Sequence, residues 1–203
     1  MQPEFLFDFG SPNAYLSHLV IPKIEQRTGT LFKYVPILLG GVFRLTNNKS
    51  PIESFKDVKN KLEFQRLEMR RFLKRYGITT FQMNPFFPVN TLQLMRGAVA
   101  AEFEGVFMPY VDAMFRLMWA EPRKMDDPDV FRASVKEARL DADLLLRRVQ
   151  DDDVKARLLE NTQNAVERGV FGSPSFFVGD ELFFGKDQLR DVEEEIAQRK
   201  RAA

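Results

Sequence analysis

Strand signals in this chain fall only at its two ends, and the long stretch between them carries apolar residues at helical spacing. Glu4 to Phe9 alternates, with Phe5, Phe7 and Phe9 on one face and Leu6 and Asp8 on the other. Ser11 follows as a helix N-cap, with Pro12 at the first helical position. The helix runs to about Arg27, with Leu16, Leu19, Val20 and Ile24 along one stripe, and Gly29 ends it. Leu31 to Pro36 is a second strand, and a strand–helix–strand unit this short makes the two strands parallel. Strands return at Ser175 to Val178 and Glu181 to Phe184, joined by Gly179-Asp180 as a two-residue hairpin turn. A last helix covers about Asp187 to Arg199.

The two halves, βαβ and ββα, complete one sheet, so the intervening chain is an insertion rather than a linked domain. Gly40-Gly41 and Thr46 to Pro51 read as loop. From about Ile52 to Arg168 the pattern is almost wholly helical. Its stripes are Phe55, Val58, Leu62, Met69, Phe72 and Leu73; then Leu92, Met95, Val99 and Phe103; then Phe107, Tyr110, Val111, Met114, Phe115 and Met118. The expected fold class is therefore α/β, with a discontinuous domain of residues 1–45 and 169–203 and an all-helical insertion of residues 46–168.

The chain has no cysteine, which excludes disulfides, thiolate metal sites and a cysteine nucleophile. Its one histidine, His18, leaves a histidine-rich metal site or a Ser-His-Asp triad hard to build, so no metal is expected. A net charge of +1 gives no reason to expect nucleic acid or a membrane surface as partner. No run approaches the roughly 20 apolar residues of a membrane span, and MQPEFLFDFG lacks the basic region and cleavage site of a signal peptide. A cytoplasmic location is the expectation. Twenty phenylalanines and eight methionines point to large apolar packing surfaces or an apolar pocket.

Several short motifs can carry chemistry, and each also has an ordinary structural use. Ser11 is sufficiently explained as a helix cap; its hydroxyl and the helix-start amides could also stabilise an anion such as a thiolate. Ser173-Pro174 is expected to be trans, since only about 5–6% of such bonds are cis in folded proteins. A cis bond would turn the Ser173 backbone toward Ser11 and offer an edge to an extended peptide. Phe184-Gly185-Lys186-Asp187 reads as a strand end, a turn and a helix cap. It could also receive a ligand carboxylate at the helix start beside Lys186, and a ligand ammonium at Asp187. Asn47-Asn48 is a turn, and Asn90 is a cap for the helix after it. Lys56 to Arg75 carries a basic excess that suits a solvated helix face. His18 lies two turns beyond Ser11, too far along the axis to bond to it directly.

FDFGSPNAYL, Asn48 through Pro51, FPVNT and VFGSPSFFVGDELFFGKDQL together resemble the 2-hydroxychromene-2-carboxylate isomerase family. That family lies within the kappa-class glutathione transferase and DsbA-like group of thioredoxin folds, and the resemblance spans essentially the whole chain. It implies a thioredoxin-like fold in which Ser11-Pro12-Asn13-Ala14 stands where redox members carry Cys-x-x-Cys. It also implies glutathione as a cofactor that is not consumed. Ser11 would contact the glutathione sulfur as the catalytic residue, and Asn48, Ser173, Phe184, Gly185, Lys186 and Asp187 would line the same site. Asn90 would lie on the side of a small aromatic carboxylate substrate, and the chain would form a homodimer. Two positions depart from the family pattern. Residue 173 is usually apolar, and positions 183 and 184 are often tryptophan where this chain has Phe183 and Phe184.

The resemblance leaves three outcomes open: a glutathione-dependent isomerase of aromatic-degradation intermediates, a kappa-like transferase that leaves the thiol on an electrophile, and a non-catalytic thioredoxin-like binding protein in which Ser11 is only a cap. Dithiol redox chemistry is excluded by the absence of cysteine.

Overall fold

In the computed structural model, which describes residues 2–202, the two ends of the chain meet in one four-stranded sheet of order β2-β1-β3-β4. β1 (Glu4–Phe7) pairs in parallel with β2 (Lys33–Pro36) and antiparallel with β3 (Ser175–Val178), which pairs antiparallel with β4 (Glu181–Phe184). The β1–β3 ladder is thus the seam between the halves. α1 (Pro12–Thr28) crosses between β1 and β2. After β4 comes a 3-10 turn, Lys186–Gln188, and then α10 (Leu189–Ala202).

The alternation in β1 sorts side chains between two cores. Phe5, Phe7 and Phe9 are fully buried on one face, where the Phe5 ring stacks on Phe176 at 5.4 Å. Leu6 packs on the other face with Ile37, Val42 and Phe177. The strand ends two residues before the expected limit because side chains take over its bonding: the Asp8 amide donates to Ser173 Oγ at 3.2 Å, and the Phe9 carbonyl accepts from Trp119 Nε1 at 2.7 Å. β2 begins at Lys33 rather than Leu31, which is largely exposed.

Between the halves lie α2 (Leu39–Thr46), α3 (Pro51–Phe55), α4 (Lys61–Tyr76), α5 (Leu92–Phe103), α6 (Phe107–Trp119), α7 (Pro128–Glu137), α8 (Ala142–Arg148) and α9 (Asp152–Glu167). Gly40 and Gly41 are part of α2, not loop. A Cβ on Gly41 would stand 3.1 Å from Thr162 Cγ2, so this glycine permits close packing of α2 on α9 rather than a turn.

The helical block is also less continuous than its periodicity suggests. Gly77, at φ +67°, ends α4, and residues 78–91 form no helix. This segment contains Pro85 and Pro88, which lack the amide hydrogen that a helix interior requires. The stripe from Phe55 to Leu73 buries only Phe72 completely, and Val58 lies in a half-exposed turn.

The central helices carry the main core together with the sheet's phenylalanine face. α5 and α6 approach closely at Gly97, against which the Tyr110 ring lies while its hydroxyl donates to the Leu94 carbonyl at 2.9 Å. Trp119, at the end of α6, fastens this layer to the end of β1 through its bond to Phe9. Among the described residues, no helix is long and apolar enough to cross a membrane.

Candidate functional site

Ser11 caps α1 in extended conformation, and its Oγ accepts the Ala14 amide at 3.2 Å. The same hydroxyl donates to the Ser173 carbonyl at 2.9 Å. The Ser173-Pro174 peptide is cis, contrary to the expectation from frequency alone. Ser11 and Ser173 are both buried, and the Ser173 backbone lies beside the start of α1 at the mouth of β3. The first turn of α1 itself carries no acidic residue.

Asp8 lies directly behind this pair. Its carboxyl is fully buried: Oδ1 accepts the Gly10 amide at 2.8 Å and Oδ2 accepts the Leu39 amide at 2.7 Å. Burial pushes the carboxyl above the ordinary aspartate value, while these two amides and a hydrogen bond to the Thr91 side chain pull it back. Sequence reasoning placed Asp8 on a strand face and gave it no role. The available signal was an acid set inside Phe5-Leu6-Phe7-Asp8-Phe9, where the apolar neighbours cannot satisfy an ion.

The C-terminal motif gathers around the same corner. Gly185 N donates to the Pro174 carbonyl at 2.9 Å, so the turn after β4 is fixed to the turn before β3. Asn48 Nδ2 donates to the Phe171 carbonyl at 2.9 Å, and the Phe171 ring meets the half-exposed Phe184 ring at 4.4 Å. Phe171 was not singled out from the sequence. Asn47 terminates α2 in the left-handed region, which the turn reading of Asn47-Asn48 anticipated.

Lys186 is only 5% exposed, lies 5.0 Å from the centre of the Phe72 ring and pairs with Asp187. Its charge is engaged with Asp187, so receiving a ligand carboxylate there, as the sequence suggests, would require the pair to exchange partners. Asp187 belongs to the 3-10 turn and does not cap α10.

Asn90 stands on the other flank of the Ser11 loop. Its Oδ1 accepts the Leu92 amide at 3.1 Å, one residue ahead of the N-cap position held by Thr91. Asn90 faces a hollow of about 360 Å³ that Arg96 and Gln150 also line. Neither Ser11 nor Ser173 lines it, so the structure does not join Asn90 to the Ser11 corner by direct contact. The connection runs through Thr91, whose methyl would stand 3.2 Å from a Cβ on Gly10. His18 does have partners: Nδ1 lies 3.0 Å from the Tyr34 hydroxyl, Nε2 lies 3.2 Å from Asp112, and the ring stacks on Phe115.

The corner thus offers a hydroxyl, helix-start amides and the Ser173 backbone just ahead of β3, a set suited to an anionic atom carried on an extended peptide. It contains no thiol, and the proton of its Ser11 hydroxyl already goes to a carbonyl rather than to a base.

The chain is 29% identical over 187 residues to a 2-hydroxychromene-2-carboxylate isomerase of Pseudomonas putida, covering 92% of this chain and 89% of that one. It is 22% identical to glutathione S-transferase kappa 1 of Caenorhabditis elegans, over 96% of this chain and 90% of that one. A solved structure of a 2-hydroxychromene-2-carboxylate isomerase superposes with a TM-score of 0.84 at 28% identity, covering 100% of this chain and 97% of that one. A probable DsbA oxidoreductase from Streptomyces coelicolor shares the fold at 15% identity, with a TM-score of 0.75 over 98% of this chain and 89% of that one. The DSBA-like thioredoxin domain matches residues 4–197, and the chain belongs to that family.

Proposed function

We propose that this protein is a glutathione-dependent isomerase acting on 2-hydroxychromene-2-carboxylate or a related aromatic-degradation intermediate. The observation that carries the reading is the Ser11 hydroxyl at the start of α1, 2.9 Å from the Ser173 carbonyl, in a chain without cysteine. A thiol acting at this site would have to come from outside the chain, and the similarity to named isomerases supports this reaction class.

The residues present fit glutathione at its sulfur and its peptide backbone. Ser11 Oγ and the helix-start amides would face the sulfur; the Ser173 backbone would pair with the peptide. Asn48 and Phe184 would flank it, with Gly185 close by. The charged ends of the tripeptide would meet Lys186 and Asp187, which must first part. Bound glutathione supplies a thiolate that adds reversibly to a conjugated double bond and so permits rotation about it.

The protein's own contribution is electrostatic and geometric. Ser11 turns its hydroxyl proton from the Ser173 carbonyl toward the anionic sulfur. The start of α1 favours that charge and lowers the thiol pKa. Asn90 orients the aromatic carboxylate on the opposite flank. Ser11 is therefore a thiolate stabiliser rather than an attacking group.

A second reading, a transferase that leaves the thiol on its electrophile, draws on the similarity to the kappa-class enzyme. Calorimetry with glutathione on the parent and on Ser11→Ala, together with thiolate absorbance of the bound complex, tests the shared thiol site. Binding with a thiolate signal that collapses in Ser11→Ala supports it; absent binding, or binding indifferent to Ser11, overturns it. Free glutathione recovered after turnover of the chromene carboxylate supports the isomerase, and a released conjugate supports the transferase.

A further inference from the structure

Asp8 makes contacts that no role assigned above requires. Its carboxylate is buried behind Ser11, has no cation against it among the described residues, and spends one oxygen on Gly10 and the other on Leu39. Gly10 precedes Ser11. Leu39 opens α2, whose last residue leads through Asn47 to Asn48. The Asp8 backbone bonds on two further sides, with its carbonyl accepting the Ser11 amide at 3.0 Å and its amide donating to Ser173 Oγ at 3.2 Å.

We propose that Asp8 is a positioning residue whose carboxylate holds the Ser11 loop and the start of α2 in one register, so that Ser11 and Asn48 are presented together to a thiol peptide. The inference rests on the glutathione reading for the identity of that peptide. The joint itself rests on the two bonds alone.

The chemistry of the joint makes it sensitive to a single atom. Two amide hydrogens need two acceptors, and a carboxylate provides them. A carboxamide provides one acceptor and one donor, so Asp8→Asn must leave either Gly10 or Leu39 facing an N–H group. The substitution is nearly isosteric, removes no apolar packing, and breaks one of the two connections. The groups around Asp8 are backbone amides and the Ser173 and Thr91 hydroxyls, so a titration seen at this point has no second ionisable partner bonded to it.

The test has two arms on the full chain. In amide NMR spectra of the parent without glutathione, the Gly10 and Leu39 resonances should move together with a single midpoint as pH falls, and Asp8→Asn should lose that common step. Unrelated midpoints, or no movement at either amide, would overturn the proposal. In calorimetry, folded Asp8→Asn should bind glutathione at least tenfold more weakly than the parent; parent-like affinity would overturn it. If Asp8→Asn does not fold, the parent titration still decides whether the joint exists. If the parent itself fails to bind glutathione, the functional reading falls, while the amide titration continues to test Asp8.

Discussion

The Ser11 hydroxyl and the Ser173 carbonyl, 162 positions apart in the chain, meet at 2.9 Å. The bond spans the two halves of the sheet and joins a helix start to a strand start. Its hydrogen is the one that an anionic sulfur would recruit, so the resting arrangement holds the donor close to where it would be used.

Ser11→Ala should separate the two uses of this hydroxyl. As a cap it accepts the Ala14 amide, and its loss should cost about 1 kcal/mol of stability. As a donor to sulfur, its loss should abolish the thiolate absorbance of bound glutathione at neutral pH. Urea denaturation and the absorbance measurement read the two effects independently.

Asp8 should leave a mark on stability against pH. Its folded-state pKa is raised by burial, so the folded chain holds the proton more tightly than the unfolded chain does. The stability it contributes is fully present below the unfolded value, 3.8, and is lost as pH rises through the folded value. Denaturation of the parent and of Asp8→Asn at a series of pH values should show the parent losing stability relative to the variant across that window. A constant difference would contradict the assignment.

Lys186→Met should fold. The methionine can occupy the apolar space beside Phe72, and the Asp187 carboxylate left behind is half-exposed, so no uncompensated charge is buried. Glutathione affinity should fall by about tenfold, or about 1.4 kcal/mol, as calorimetry would show. Unchanged affinity would remove Lys186 from the site.

Gly97→Ala should destabilise without touching the corner. The added methyl would stand 2.1 Å from the Tyr110 oxygen, and moving that ring breaks the bond to the Leu94 carbonyl. Overpacking of this kind costs about 1–3 kcal/mol. Thermal unfolding should report it, and glutathione affinity measured well below the transition should stay at the parent value.

Much of this arrangement is visible in the order of residues because it is local. The cap at Ser11, the alternation of Phe5, Leu6 and Phe7 and the turn at Gly179-Asp180 depend on neighbours a few positions away. Their period and type can be read without knowing what lies opposite. Gly40-Gly41 was misread for a complementary reason. Glycine serves both a turn and a tight helix contact, and at Gly41 only the presence of Thr162 on α9 separates them; nothing stands within 4 Å of a Cβ on Gly40.

The sequence alone determined that two strand-bearing ends must share a sheet around a helical insertion, that a serine caps the helix after the first strand, and that no thiol chemistry can come from the chain itself. Tertiary structure decided which polar groups face one another. It buried Asp8 behind Ser11, closed Lys186 onto Asp187 against Phe72, and set Asn48 on the carbonyl of Phe171. Lys186 and Asp187, like Asp8 and Ser11, are near in sequence; the contacts of Asp8 with Leu39, of Lys186 with Phe72 and of Asn48 with Phe171 come from chain closure. Their hydrogen bonds and charges become decisive only once the surrounding side chains have removed the water that would otherwise satisfy them.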